Sequence, residues 1–111
     1  MMEKAIQSAI LDYLKYAKEV GWAMRVNAGK IKVNSKYGSR FISMAPAGTC
    51  DIIGMLKGGK FFAIEVKTPD RIKTLTTYQK NFIDKINENG GIAFMATSVD
   101  DVINNFKKLW K

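Results

Sequence analysis

Phe61-Phe62-Ala63-Ile64-Glu65-Val66-Lys67 is the stretch of sequence that decides the fold. Its apolar residues favour a buried strand, and Glu65 is the one charged interruption before Lys67. Side chains alternate between the two faces of a strand, so Glu65 and Lys67 point the same way. A carboxylate and an ammonium on a largely buried face cost free energy to desolvate unless they have partners.

A second apolar run, Ile52–Leu56, begins directly after Asp51 and is separated from Phe61 by Lys57-Gly58-Gly59-Lys60. A short loop with two glycines predicts a hairpin turn. Pairing across this turn brings Asp51 near Glu65 or Lys67, so that Asp, Glu and Lys converge at one end of a sheet. The competing interpretation is a structural Glu65–Lys67 ion pair, which needs neither a third carboxylate nor an apolar strand around it.

Composition limits the classes of function. The 111 residues suffice for one domain, and 18 basic against 10 acidic residues give a net charge of +8. This charge favours a polyanionic partner, nucleic acid before an anionic membrane surface, although small basic proteins also bind polyanions without function. No segment has the length of a membrane span, and a single cysteine is compatible with the cytoplasm, where we expect the protein.

The absence of histidine and the single Cys50 restrict the chemistry further. They exclude an internal disulfide and Ser-His or Cys-His catalysis within one chain, and they argue against structural zinc. Any metal would be held by carboxylates and carbonyls, which suit Mg²⁺ or Mn²⁺.

The order of the elements predicts an α/β domain, a mixed central β-sheet flanked by helices, with the order α-β-β-β-β-α-β-α. The last strand should join parallel to the Phe61 strand through a right-handed crossover. The expected elements are a helix from 3 to about 19, strands at 22–27, 41–44, 51–56, 61–67 and 92–96, a helix capped by Thr76 and running to about Asn89, and a helix capped by Ser98. The polar segment 29–40 is either a loop or an irregular hairpin arm.

Two residues at helix ends allow two interpretations each. Glu3 is either a first-turn acid that complements the helix dipole or an additional ligand for a metal or a water. Gln79 lies three residues after Thr76, so it can close a capping box, reach the site, or do both.

The whole chain resembles the VRR-NUC (virus-type replication-repair nuclease) family of the PD-(D/E)xK nuclease superfamily. The matching residues are Glu3 and Gln7, Arg25-Val26-Asn27-Ala28-Gly29, Gly48-Thr49-Cys50-Asp51, Ile64-Glu65-Val66-Lys67, and Gln79 after a threonine-rich cap. The departure is Cys50, where the family usually has proline before the acid.

The resemblance implies a restriction-endonuclease-like fold and a homodimeric, Mg²⁺-dependent endonuclease of phage or bacterial replication and repair. Such an enzyme hydrolyses phosphodiester bonds in branched DNA such as Holliday junctions. Asp51, Glu65 and the carbonyl of Val66 would hold one or two metal ions, and Glu3 could contribute directly or through water. Lys67 would orient or help to deprotonate the attacking water, and Gln79 would position Lys67 or that water. The first helix or the Trp110 helix would form the dimer contact.

Basic side chains outside this site are candidates for contacts with the phosphates of nucleic acid. They are Arg25, Lys30, Lys32, Lys36, Arg40, Arg71 and Lys73. Two other classes of function stay open, a non-catalytic nucleic-acid-binding module on a degenerate nuclease fold and an interaction subunit of a larger replication or repair complex. For the lysines of 29–40, a solvated loop without specific contacts is the alternative.

Overall fold

The computed structural model describes residues 2–26, 30–43 and 45–110. Within these ranges the chain forms three α-helices and six β-strands, and a short 3-10 helix follows β5 and another follows α3. The bounds are α1 Glu3–Tyr16, β1 Val20–Arg25, β2 Lys30–Ser35, β3 Gly38–Ser43, β4 Ile52–Leu56, β5 Phe61–Val66, 3-10 helix Pro69–Arg71, α2 Thr77–Glu88, β6 Ile92–Ala96, α3 Val99–Lys107 and 3-10 helix Lys108–Trp110.

Four strands form a mixed central sheet in the order β1-β4-β5-β6. β4 is antiparallel to both β1 and β5, whereas β6 is parallel to β5. The chain passes from β5 to β6 through α2, because parallel neighbours need a long crossover. The predicted α/β class, the mixed sheet and the parallel pairing of the last strand are therefore confirmed.

The segment 29–40 was left open between a loop and an irregular hairpin arm, and the hairpin is what forms, so the predicted order with four strands before the second helix was wrong. β2 and β3 pair with each other as a separate two-stranded sheet, so five strands, not four, precede α2. β2 follows the alternation of Lys and aliphatic residues at 30–33, and pairing with β3 turns this weak pattern into a strand. We call Lys30–Ser43 the arm. Met44 and the predicted strand end at Asn27 lie outside the described residues.

The first helix is shorter than its periodicity suggested. It ends at Tyr16, and Ala17 has extended backbone angles (φ −69°, ψ 122°) instead of continuing to about residue 19. The reason is that Val20, only 8% exposed, already pairs with Leu56 in the sheet. β1 therefore begins two residues before Trp22.

Both faces of the central sheet are packed. Phe62 and Phe106 meet edge to face with ring centroids 5.3 Å apart, between β5 and α3. Residues buried on the α1 and α3 face are Ile6, Ile10, Leu14, Val20, Ile52, Leu56, Phe62, Ile64, Val66, Phe94, Ala96, Val102 and Phe106. A smaller cluster under α2 consists of Cys50, Ala63, Ile83 and Ala93. Alternation along β5 thus turns Phe62, Ile64 and Val66 one way and Glu65 the other.

The predicted helix starts are confirmed. Thr76 and Gln79 form a reciprocal capping box at α2, and the hydroxyl of Ser98 accepts from the amide of Asp101 at α3. α2 stops at Glu88, before Gly90, whose φ of +92° suits glycine. Among the described residues, the longest helix has 14 residues, and none is long and apolar enough to cross a membrane.

Candidate active site at the carboxyl end of strand β5

The β4–β5 hairpin sets the position of the two acids. Gly58 and Gly59 have φ values of +98° and +100°, which other residues rarely adopt, so they form the tight connection. The resulting register pairs Ile52 with Ile64. Asp51, one residue before Ile52, therefore lies opposite Glu65, one residue after Ile64, as the sequence predicted.

Asp51 is held from two directions. The amide of Val66 donates to its Oδ2 at 2.8 Å, and its main-chain carbonyl accepts from the amide of Val26, also at 2.8 Å. The amide and carbonyl of a strand residue face the same neighbouring strand, so the Val66 carbonyl is directed toward the Asp51 side of β5. The acid and the carbonyl that the sequence named as metal ligands thus face the same region.

Glu65 is buried, with 3% of its surface exposed. Its Oε2 accepts from Gln79 Nε2 at 3.3 Å, while its Oε1 is buried without a hydrogen-bond donor. Burial, followed by the charge of the neighbouring Asp51 carboxylate, raises the pKa of Glu65 to about 9. Without a cation, Glu65 therefore keeps its proton at neutral pH, because two ionised carboxylates this close repel each other.

Lys67 lies on the same face as Glu65 and is also buried, with 9% exposed. Its amide donates to the carbonyl of Ala96 at 3.0 Å, so pairing with β6 continues to this residue. The charge of Lys67 lowers the pKa of Glu65, which opposes burial and Asp51 without overcoming them. A simple structural Glu65–Lys67 ion pair does not describe this arrangement, because Asp51 raises the pKa of Glu65 by more than the ammonium of Lys67 lowers it.

Gln79 closes the predicted capping box and also reaches the site, where it contacts Glu65 instead of Lys67. Its Oε1 accepts from the amide of Thr76 at 3.0 Å and closes the capping box, while its Nε2 reaches Glu65. The cap therefore fixes the orientation of the amide, because the acceptor oxygen is used at the helix end and the donor nitrogen is left facing the acid.

Gly48 explains how α2 and the turn before Asp51 come so close. Its φ is +84°, and a Cβ at this position would collide with the carbonyl of Tyr78 and lie 2.8 Å from the amide of Gln79. The turn is closed by Thr49, whose hydroxyl donates to the carbonyl of Pro46 at 2.6 Å. Glycine at 48 thus lets the segment carrying Asp51 rest against the helix turn carrying Gln79.

Glu3 approaches the site from α1. Its carboxylate adds to the rise in the pKa of Glu65, as the smallest of the contributions named here. Gln7, one turn further along the helix, is buried with 9% exposed, although its residue type favours the surface. The sequence pattern placed the two residues on one face of α1, and of the two only Glu3 is seen to influence Glu65.

Cys50 is the neighbour whose role sequence reasoning missed. It is fully buried, and burial raises the pKa of its thiol far above the usual range, with Glu65 and Asp51 raising it further. A neutral thiol next to the two acids contributes apolar packing under α2 and no charge. Its residue type was the available signal, since free cysteine is among the most often buried residue types.

The donor set for a cation consists of two carboxylates and a main-chain carbonyl. Within 2–26, 30–43 and 45–110, no group of three Asp, Glu, His or Cys side chains is placed to hold a metal ion. The residues named from the sequence, Asp51, Glu65 and Val66, do not need such a group. They fit a hard cation because all their donors are oxygens and because Glu65 Oε1 has no other partner.

The basic candidates fall into two groups. Arg25 ends β1 and pairs with Ile52, the residue after Asp51, while Arg71 and Lys73 lie in the exposed segment that follows Lys67. Lys32, Lys36 and Arg40 are exposed on the arm, and Lys30 begins β2, its side chain outside the described part. The motif residues Asn27, Ala28 and Gly29 also lie outside the described ranges.

Comparison of the sequence with models of known protein families and with curated proteins found no match.

Proposed function

We propose that this chain is a Mg²⁺-dependent (or Mn²⁺-dependent) endonuclease of the VRR-NUC type, with a restriction-endonuclease-like topology, that hydrolyses phosphodiester bonds in branched DNA such as Holliday junctions. The observation that carries the proposal is the buried oxygen Glu65 Oε1, which has no donor although it lies beside a second acid. Folded proteins rarely leave a buried polar atom without a hydrogen-bond partner, and acids with strongly shifted pKa values concentrate at functional sites.

Each residue of the site would have a separate role in the reaction. A divalent cation between Asp51 and Glu65 would supply charge against the scissile phosphate and would lower the pKa of a bound water. The ammonium of Lys67 lies on the same face as Glu65, where it can orient a water and offset phosphate charge. Gln79, fixed by its cap, holds the carboxylate of Glu65 in one orientation. Glu3 adds negative charge that favours retention of a cation.

A homodimer belongs to this proposal. Two copies related by a two-fold axis would present two sites to the two symmetric strands of a four-way junction. Light scattering at micromolar protein should give twice the mass of the chain. A monomer across that range would remove the reason for preferring junctions over other branched substrates.

The second candidate is a non-catalytic nucleic-acid-binding module on a degenerate nuclease fold. The lack of a third metal-binding side chain among the described residues favours it, because adjacent acids can also be satisfied by sharing one proton. In that case the acids stabilise the hairpin end, and the net charge of +8 carries the function.

Cleavage separates the two candidates. Labelled four-way junctions, flaps and linear duplexes are incubated with wild type, Asp51→Asn and Lys67→Ala, in Mg²⁺ or in chelator. We expect cleavage of branched DNA by wild type in Mg²⁺, and a loss of about 10²–10⁴-fold in each variant. Asp84→Asn, the same change at an exposed position of α2, should keep wild-type activity. Tight binding by wild type without cleavage of any substrate would leave only the second candidate.

A further inference from the structure

The arm differs from the rest of the molecule in charge. Its 14 residues include Lys30, Lys32, Lys36 and Arg40 and no acid, so they carry a charge of +4, half of the net charge of +8. Except for Val33, which is half-buried, residues 32–42 are exposed. Concentrated positive charge on a protruding element favours a polyanion over a neutral protein partner.

The arm also stands apart in packing. Within the described residues, β2 and β3 contact each other extensively and make no comparable contact with any other strand or helix. The radius of gyration, 15.4 Å, exceeds the value of about 13 Å for a compact domain of this length. Six residues per strand give the arm a length of about 20 Å. It is therefore long enough to follow several nucleotides.

Large aromatic side chains are exposed on this basic element. Tyr37 at the tip is 87% exposed and Phe41 is 66% exposed. The ammonium of Lys36 lies 5.1 Å from the centre of the Tyr37 ring, and Lys32 is paired directly across from Phe41 on one face. Each exposed ring thus has a cation next to it, a combination that suits stacking against a base while the cation contacts the phosphate.

The tip is held in a fixed shape. Ser35 Oγ accepts from the amide of Tyr37 at 3.2 Å and donates to the carbonyl of Gly38 at 3.3 Å. Gly38 supplies the positive φ (+115°) that closes the turn, with nothing within 4 Å of a Cβ there. The ring of Tyr37 is thereby presented outward from a defined turn.

The arm is inserted in the chain between the end of β1 and the segment leading to Asp51. Arg25 at the end of β1 pairs with Ile52, the residue after Asp51. The arm begins five residues after the end of β1, so its start lies within about 18 Å of the edge of the central sheet where Asp51 and Glu65 meet.

We propose that the arm binds unpaired DNA bases next to the candidate active site, with Tyr37 and Phe41 stacking on bases and Lys32 and Lys36 contacting phosphates. Within a duplex the faces of the bases are stacked on one another, so stacking side chains reach them only in single strands, flaps and junction centres. The arm would thus distinguish branched or single-stranded DNA from continuous duplex. This inference deepens the proposed function and rests on it for the position of the cut, but its binding test needs no cleavage.

The test measures binding in the Asp51→Asn background, where the amide oxygen of the new side chain can still accept from Val66 and cleavage is removed. Fluorescence anisotropy gives the dissociation constant for a labelled single strand, a four-way junction and a duplex of equal length at one salt concentration. Tyr37→Ala and Phe41→Ala should each weaken binding to the single strand and the junction at least about fivefold, and to the duplex less than about twofold. Tyr37→Trp should keep the wild-type preference.

Tyr16→Ala is the matched control. Tyr16 is 74% exposed and has Lys15 at 5.6 Å from its ring, so it repeats the Lys-Tyr pair of the tip on α1, outside the arm. Its loss should leave all three constants unchanged. Melting temperatures equal to wild type check that the arm variants stay folded.

The inference is overturned if Tyr37→Ala and Phe41→Ala weaken binding to all three DNAs equally, or do not weaken binding at all. It is also overturned if the Asp51→Asn parent binds none of the three DNAs. If wild type cuts junctions while the arm variants bind unpaired DNA normally, the arm inference alone is lost. If binding depends on the rings as described but wild type cuts nothing, the proposed nuclease activity alone is lost.

Discussion

The carboxyl end of β5 and the arm differ in where their ionisable side chains lie, because those at the end of β5 are buried and those described on the arm are exposed. At the end of β5, Glu65 and Lys67 are buried; Gln79 of α2 donates to Glu65, and the main-chain amide of Lys67 donates to Ala96 of β6. On the arm, Lys32 and Arg40 are exposed to solvent. Among the described residues, the two strands that carry them contact each other far more than any other element. Buried charges cost stability and gain fixed geometry, whereas exposed charges cost little and act through long-range attraction.

The largest expected effect is on catalysis, where variants at the end of β5 should change kcat and variants on the arm should change KM. Glu65→Gln should lower kcat on a four-way junction by about 10²–10⁴-fold with KM changed far less, because it removes a ligand needed in the transition state. The double variant Lys32→Gln, Lys36→Gln should instead raise KM with kcat nearly unchanged, and should reduce the salt dependence of binding. Steady-state rates at two salt concentrations measure both. A loss of kcat in the arm variant would contradict the division between chemistry and binding.

The second prediction compares two phenylalanines. Phe62 is fully buried and packs edge to face on Phe106, so Phe62→Ala should lower the free energy of unfolding by about 3–5 kcal/mol. Phe41 on the arm is mostly exposed, and Phe41→Ala should change it by less than about 0.5 kcal/mol. Urea denaturation followed by circular dichroism measures both. A large decrease in the free energy of unfolding of Phe41→Ala would mean that the arm unfolds cooperatively with the core.

The third prediction compares two glycines with positive φ. Gly48 lies against the main chain of Tyr78 and Gln79, whereas Gly38 has open space around it. Gly48→Ala should therefore cost about 2–4 kcal/mol, from backbone strain and the collision together, and Gly38→Ala only about 1–2 kcal/mol from strain. Gly48→Ala should also slow cleavage more than Gly38→Ala does, because it separates Asp51 from Gln79. Equal losses of stability would show that the contact with α2 is unimportant.

What could be predicted from sequence in these two regions follows from how local the determining interactions are. The β4–β5 hairpin, the capping box of Thr76 and Gln79, and the approach of Asp51 to Glu65 depend on turn residues and alternation within a few positions. The arm was left between a loop and a hairpin, because β2 becomes a strand only through pairing with β3 and has no core to give it a clear apolar face.

Other features depend on contacts distant in sequence and could not be predicted. α1 ends at Tyr16 because Val20 has a partner in Leu56, 36 residues later. Helical periodicity contains no information about that pairing. The lone oxygen Glu65 Oε1 is also a property of the assembled site, since it requires knowing that the single available amide of Gln79 contacts the other oxygen.

The smallest expected effect concerns pH and the buried acid. Burial, followed by Asp51, raises the pKa of Glu65 to about 9 from an ordinary 4.5, so the folded chain keeps a proton that the unfolded chain releases. The stability that this proton contributes is complete below pH 4.5 and is lost as the pH rises toward 9. In chelator, the free energy of unfolding of wild type should therefore fall by about 1–3 kcal/mol between about pH 5 and pH 8.5.

Glu65→Gln should show a flatter curve over the same range and should exceed wild type in stability at about pH 8.5, because an amide has no charge to bury. Phe41→Ala, a control on the arm, should follow the wild-type curve. Urea denaturation at four pH values measures all three, and added Mg²⁺ should restore the stability of wild type most at the highest pH, where the carboxylate no longer has a proton competing with the cation. Parallel curves for wild type and Glu65→Gln would show that Glu65 keeps its ordinary pKa. The contrast between a buried acid with a raised pKa and a solvent-exposed arm would then be wrong.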